Sequence, residues 1–230
     1  IATLQPHLTE SEVADKVREI RASLEATPKA PPWSAFLAPK VRPVVAFAIT
    51  LFLLQQLSGI NAVIYYAPII MGEAGMEGFS AQLGATVGIG MLNVVMTIVA
   101  MVLVDRVGRR PLLITGFAGA AVSLAIITFA FVTPTDDAGL ALAGILLYVA
   151  FFAVALGPLP WLYMAELFPM RLKTRGIALA SIANWSMNFL VVFMFPVVLS
   201  AVGASAAFAI FSACCAFGFF YALKYAPETN

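Results

Sequence analysis

Along most of the chain, polar positions are sparse and widely spaced. From Pro43 to Val104 the only charged residues are Glu73 and Glu77, from Pro111 to Ala165 they are Asp136 and Asp137, and from Gly176 to Leu223 there are none. Each stretch is at least twice the ~20 residues with which an α-helix crosses ~30 Å of hydrocarbon, so each is read as going out and coming back. The acids mark the far turns of the first two hairpins, with Gly72 and Gly75 beside Glu73 and Thr133-Pro134-Thr135 ahead of Asp136. Pro196 through Gly203 marks the third. The pattern predicts six helices, near 43–71, 80–104, 111–132, 138–165, 174–200 and 204–225.

The basic residues test this topology independently, because Lys and Arg collect on the cytoplasmic side of a membrane protein. Six precede Pro43, three lie at 106–110, three at 171–175, and Lys224 ends the last helix. With both ends of the segment cytoplasmic, all 13 fall on one face. The chain is therefore expected to be an all-α, multi-pass protein of a cell membrane, either a bacterial inner membrane or a plasma membrane, with the lipid bilayer as its surroundings.

Residues 1–42 form a separate segment that holds 11 of the 25 charges. Thr9 followed by Glu12 has the form of a capping box, and Val13, Val17, Ile20 and Leu24 make an apolar stripe at helical spacing. Pro28, Pro31 and Pro32 end it. A cytoplasmic amphipathic helix is expected here, with His7 solvated ahead of it, and residues 43–230 form the transmembrane bundle.

Composition removes several other classes. Only 11% of residues are charged and 62% are apolar, against roughly 25% charged in a soluble domain. A net charge of +1 gives no electrostatic preference for nucleic acid. Cys214 and Cys215 adjoin each other and offer neither a disulfide framework nor metal-ligand spacing. The spans contain no nucleophile, metal ligands or paired acids, so no enzyme, cofactor or metal site is expected. The chain opens on Ile1, stops at Asn230, and reads as a fragment of a longer protein.

The informative residues are amides inside the spans, where an unpaired amide costs several kcal/mol. At ~1.5 Å per residue, Gln55 and Gln56 lie roughly 18–20 Å in from Pro43, Asn93 roughly 18 Å in from Asp105, and Asn184 and Asn188 roughly 14 and 20 Å in from Arg175. Three helices thus carry amides near one depth, with Asn61 further out. Ser181, Asn184 and Asn188 share a helix face, as do Gly90, Asn93 and Thr97. Gln55, Gln56 and Asn61 do not, and Ser58-Gly59 with Pro68 beyond suggests a broken helix. Interhelical hydrogen bonding is the competing role for each amide.

No charge lies near the midplane of any span, so a cavity there suits a neutral, hydroxyl-rich ligand. Amides supply both donors and acceptors, and Trp161 and Trp185 offer flat apolar faces. Gly157-Pro158-Leu159-Pro160 weakens its helix and reads as a kink, a hinge or a gate. Leu113 is expected on the lipid side.

The run Gln55-Gln56-Leu57-Ser58-Gly59-Ile60-Asn61-Ala62-Val63-Ile64-Tyr65-Tyr66 resembles the seventh-helix signature of the sugar porter family of the major facilitator superfamily, which includes glucose facilitators and bacterial sugar/proton symporters. Asp105-Arg106-Val107-Gly108-Arg109-Arg110 resembles that family's loop between helices eight and nine. Gly157 to Trp161 with Glu166-Leu167-Phe168-Pro169-Met170-Arg171 and Arg175-Gly176 is similar to helix ten and its loop. Asn184-Trp185 with Asn188 is similar to helix eleven, and Pro227-Glu228-Thr229 to the closing motif.

The resemblance implies the carboxyl-terminal six-helix half of a twelve-helix fold, partnered by an amino-terminal six-helix half. It implies that Gln55, Gln56, Asn61, Asn93, Trp161 and Asn184 contact a monosaccharide with Trp185 beside it. Tyr65 and Tyr66 would belong to the outer gate, beside the hinge or gate already read from Pro158 and Pro160. Asp105, Glu166, Arg109, Arg110, Arg171 and Arg175 would form a cytoplasmic charge network that ties inner helix ends together. The implied activity is transport of a hexose or pentose by alternating access. Proton symport is the leading expectation for coupling, with a facilitative uniporter, a polyol or inositol transporter, or a non-transporting sugar sensor as alternatives.

Overall fold

The computed structural model describes residues 13–18, 32–133 and 138–228. It divides into two compact units, Ile1–Ala35 and Phe36–Asn230. In the first, residues 13–18 are helical, with Val13 and Val17 half-buried and Arg18 3.6 Å from Asp15 one turn back. The rest of the expected amphipathic helix, with its Thr9 cap, Ile20 and Leu24, lies outside the described residues, as do His7 and Asp136-Asp137.

The second unit consists of helices joined by short turns, with no strand among its described residues. Its elements are α1 (Arg42–Leu57), α2 (Ile60–Tyr65), α3 (Ala67–Glu73), α4 (Phe79–Val107), α5 (Arg109–Val132), α6 (Ala138–Phe151), a π-helical turn (Phe152–Leu156), α7 (Leu159–Leu167) and α8 (Lys173–Tyr225). Among the described residues, five helical stretches are long and apolar enough to cross a membrane: Arg42–Tyr65, Phe79–Val107, Arg109–Val132, Ala138–Leu167 and Lys173–Tyr225.

The last of these has 53 residues, roughly 80 Å if straight. It is not straight. Gly203 leaves the helix with φ 80° and ψ 169°, and the rings of Phe195 and Phe211 lie 6.0 Å apart although an unbroken helix would separate them by roughly 24 Å. The chain reverses at Gly203, so α8 has two limbs. The expected turn over 196–203 shrinks to that one glycine, because the helix runs through Pro196. Pro196 has no N–H for the Val192 carbonyl four residues back, and the Tyr66 hydroxyl donates to that oxygen at 3.4 Å, a long bond.

The core forms where α5 packs against α6 and α8, with α1 on another side of α8. Phe117, Leu124, Ile127, Tyr148, Phe208 and Cys215 are wholly buried there. Leu113, expected on the lipid side, is also wholly buried. Its helix is apolar all round, so no polar face in the sequence announces which side turns inward. By contrast α4 leaves Val87, Met91, Val94 and Ile98 exposed, surface that water would penalise and hydrocarbon does not.

Two further apolar stretches are interrupted. The first breaks after Leu57, where Gly59 adopts φ 84°. A side chain at Gly59 would be strained in that conformation and would also run into the Phe211 ring, so both the turn and the packing call for glycine. The fourth breaks at the π turn and Gly157-Pro158, and helix resumes at Leu159. The sequence expectation of a weak point at the prolines omits the π turn. That turn arises because Gly157 N–H bonds back to the Phe152 carbonyl, five residues earlier, at 2.8 Å.

Candidate functional site: a neutral cavity between interrupted helices

In an unbroken helix, residues five apart point about 140° away from each other. The break at Gly59 removes that separation, and Asn61 Nδ2 donates to Gln56 Oε1 at 3.0 Å. Gln56 Nε2 in turn donates to Asn184 Oδ1 on the first limb of α8 at 2.7 Å, and Asn188 Nδ2 approaches Gln56 Oε1 at 3.4 Å. Gln56 is thus the hub of an amide cluster that joins α1, α2 and α8.

Around this hub lies an open cavity of about 290 Å³ lined by Gln55, Gln56, Asn61, Asn93, Trp161, Asn184 and Trp185, together with Ile60, Ile64, Tyr65, Phe152 and Asn188. Every residue expected to contact the ligand lines it. Among the described residues, no charged side chain does. The volume is at the low end of the roughly 300–1,000 Å³ typical of small-molecule sites. Trp161 packs edge-on against Phe52, with ring centroids 4.8 Å apart, and also borders a second cavity of about 460 Å³ toward Asp105 and Arg109. That second cavity is larger but mostly apolar, so the amide-lined one carries the chemistry for a hydroxylated ligand.

The cluster leaves specific groups free for a ligand. Asn184 Nδ2, Asn61 Oδ1, Asn188 Oδ1 and the Asn93 side-chain amide have no bond among the described residues. Gln55 differs from the others. Its Nε2 is committed to the carbonyls of Leu156 at 2.7 Å and Gly157 at 3.2 Å, which leaves Oε1 as a buried acceptor without a partner among the described residues. Gln55 therefore lines the cavity with its donor committed and its acceptor buried beneath the surface, and the donors and acceptors that a polyol requires come from the Asn side chains of the cluster.

The gating candidates separate. Tyr65 lines the cavity and is exposed, while Tyr66 turns toward Val192 and packs against Phe195 at 5.3 Å. Pro158 precedes α7 and borders the second cavity; Pro160 is buried in the first turn of α7.

The charge network is partly assembled. Arg109 Nη2 contacts Glu166 Oε1 at 2.7 Å, joining α5 to α7, and both side chains are less than a third exposed. Arg110 meets Glu228 at 3.4 Å and donates to the Leu223 carbonyl at 3.1 Å, where the last helix presents unpaired carbonyls. Tyr163 closes the loop by donating to the Pro227 carbonyl at 3.2 Å. Asp105 and Arg171 take part in no ion pair among the described residues, and Arg175 lies at the start of α8. Glu228 and Tyr163 were not among the expected members. Glu228 was legible as part of the closing motif, but its partner was not.

Apolar helices long enough to span a bilayer, two of them interrupted beside a neutral polar cavity, define a multi-pass membrane protein with an uncharged, amide-lined cavity inside it. The profile of the sugar (and other) transporter family matches residues 2–230. The chain is 38% identical over 198 residues to the facilitated glucose transporter member 3 of solute carrier family 2 from Mus musculus, covering 85% of this chain and 39% of that protein. It is 35% identical over 219 residues to the D-xylose-proton symporter-like 1 of Arabidopsis thaliana, covering 94% and 44%. It also resembles the inward-open xylose transporter XylE from E. coli, with TM-score 0.76 and 28% identity over 99% of this chain and 46% of that one. The proton:xylose symporter XylE bound to 6-bromo-6-deoxy-D-glucose gives the same TM-score and identity. The chain belongs to the sugar (and other) transporter family, among the sugar porters of the major facilitator superfamily, whose members are transporters and not enzymes. It spans 39% and 44% of the length of the two relatives named.

Proposed function

We propose that the full-length protein carries a monosaccharide, a hexose or a pentose, across a cell membrane by alternating access, and that this chain is its carboxyl-terminal six-helix half. The observation that carries the reading is the cavity: four spans converge on a pocket of amides and two tryptophans with no charge on its wall. A charged solute would lack a counter-charge there, and an apolar one would leave the amides unpaired. Counting α8 as two crossings gives six, with Arg106, Lys173 and Lys224 at inner ends and both ends of the segment cytoplasmic.

Gln55, Gln56, Asn61, Asn93, Trp161, Asn184 and Trp185 bind the sugar, and Arg109–Glu166 helps hold the inner helix ends together. The named relatives support both proton symport and facilitated diffusion. Symport would draw on a carboxylate outside the cavity described, whose lining contains none. Uptake of labelled D-glucose and D-xylose by proteoliposomes holding the full-length protein tests the proposal. Saturable, stereospecific uptake is expected. Its absence, with flux of a charged or apolar solute instead, would overturn the reading; adding a proton gradient then separates symport from uniport.

A further inference from the structure

A helix that breaks inside a membrane frees carbonyls that water cannot reach, and each must find a donor. At the break between α1 and α2, Gly59 turns the chain away and frees the Ser58 carbonyl. At the break before α7, Pro160 has no N–H for the Leu156 carbonyl four residues back, and α7 begins its own ladder only with Leu162 N–H on the Pro158 carbonyl. The donors are exchanged. Tyr148, on the interrupted fourth stretch, donates its hydroxyl to the Ser58 carbonyl at 2.8 Å. Gln55, on the interrupted first stretch, donates Nε2 to the Leu156 carbonyl at 2.7 Å and the Gly157 carbonyl at 3.2 Å. Ser58 Oγ completes the joint by donating to the Gln55 carbonyl at 2.6 Å, and lies 2.9 Å from the Tyr148 hydroxyl.

Each interruption is thus satisfied by a side chain from the other. We infer that Gln55 and Tyr148 tie the two interrupted stretches together at their breaks, forming one fixed pivot about which α2–α3 on one side and α7 on the other can swing. The tie is buried and short, so both helix ends stay in register with each other. Beyond it, α2–α3 is held by Asn61 on Gln56 and by Tyr66 on Val192, and α7 by Tyr163 on Pro227 and Glu166 on Arg109. Tyr148 does not line the cavity and is a positioning residue. Gln55 also lines the cavity, with its Nε2 committed to the pivot. The kinetic consequence rests on the transport reading above; the structural one does not.

The test uses the full-length protein with Tyr148→Phe, which removes one hydroxyl and keeps the ring. Ser58→Ala serves as a milder second variant if the first is not recovered folded. Equilibrium binding of D-glucose and D-xylose is compared with the maximal uptake rate in proteoliposomes. A pivot residue should lower maximal uptake about tenfold, the factor given by about 1.4 kcal/mol, with affinity within about threefold of the parent. Uptake and affinity both unchanged, or both falling in parallel, would overturn the inference. If the parent carries neither sugar, the transport reading has failed, and hydrogen exchange of the sugar-free protein decides on the pivot alone. Faster exchange in Tyr148→Phe at both 59–65 and 157–162 supports it. A rise confined to 59–65 overturns it, because the second segment begins more than two helical turns beyond Tyr148.

Discussion

Gln56 and Asn184, 128 positions apart in the chain, share a buried 2.7 Å hydrogen bond across α1 and α8. That bond makes each a structural partner of the other as well as a wall of the cavity. Removing one leaves the other short of a partner, so the two effects do not add. Gln56→Leu and Asn184→Leu should each weaken sugar affinity, and the double variant should weaken it by clearly less than the product of the singles. A coupling of about 0.5–3 kcal/mol in a double-mutant cycle on equilibrium binding is expected; independent effects would mean that the pair does not act as a unit.

Gly59→Ala puts a side chain where φ is 84° and where the Phe211 ring already sits. The left-handed conformation alone costs roughly 1–2 kcal/mol outside glycine, and displacing the ring adds to it. The full-length variant should unfold at a lower temperature than the parent. In a Phe211→Ala background the same Gly59→Ala change should cost less, because the ring is gone and only the backbone strain remains; an equal loss in both backgrounds would show that the ring contact contributes nothing.

At the inner end, Glu166→Gln in the full-length protein removes the ion pair with Arg109 and leaves the guanidinium, whose Nε is already buried without a partner, further undersatisfied. The pair is partly exposed, so about 1 kcal/mol is a fair size for its loss, enough to move a near-balanced equilibrium about fivefold. Cysteine accessibility from the cytoplasmic side should rise. Asp105→Asn, at a carboxylate without an ion pair among the described residues, should change accessibility less. Equal effects would show that the Arg109 contact is not what closes this end.

This chain alone should not transport. Alternating access rocks one bundle against another around a shared site, and the chain spans less than half of the two named relatives. Reconstituted by itself, it should show no saturable sugar flux; such flux would mean that copies of the chain assemble into a complete carrier.

Much of this architecture was legible because membranes sort residues severely. Charges gather at span ends, and amides inside spans stand out from an apolar background, so Gln55, Gln56, Asn61, Asn93 and Asn184 could be picked out and their depth measured by counting. Ser58-Gly59 announced the break because only glycine takes the required φ readily. What was not legible depends on who sits opposite. Leu113 is buried and Phe129 exposed on the same uniformly apolar helix, and no pattern distinguishes lipid from protein as the apolar neighbour. Tyr148, Tyr163 and Glu228 acquire their roles from carbonyls or an arginine brought near only by folding. The commitment of Gln55 Nε2 to Leu156 and Gly157 was equally invisible, because it required knowing which carbonyls the second break would free.

The most direct measurement is an equilibrium titration of the folded full-length protein with D-glucose, D-xylose and inositol, comparing the parent with Gln56→Leu and with Val122→Ala, an exposed position on α5. An unpaired sugar hydroxyl or amide in a dry cavity costs about 1–3 kcal/mol, which is roughly 5- to 150-fold in affinity. Binding of at least one sugar by the parent, a loss in that range for Gln56→Leu and no change for Val122→Ala are predicted. Parental affinity for all bound sugars in a folded Gln56→Leu protein would contradict the cavity's role, leaving the amide cluster as interhelical bonding and the sugar site elsewhere.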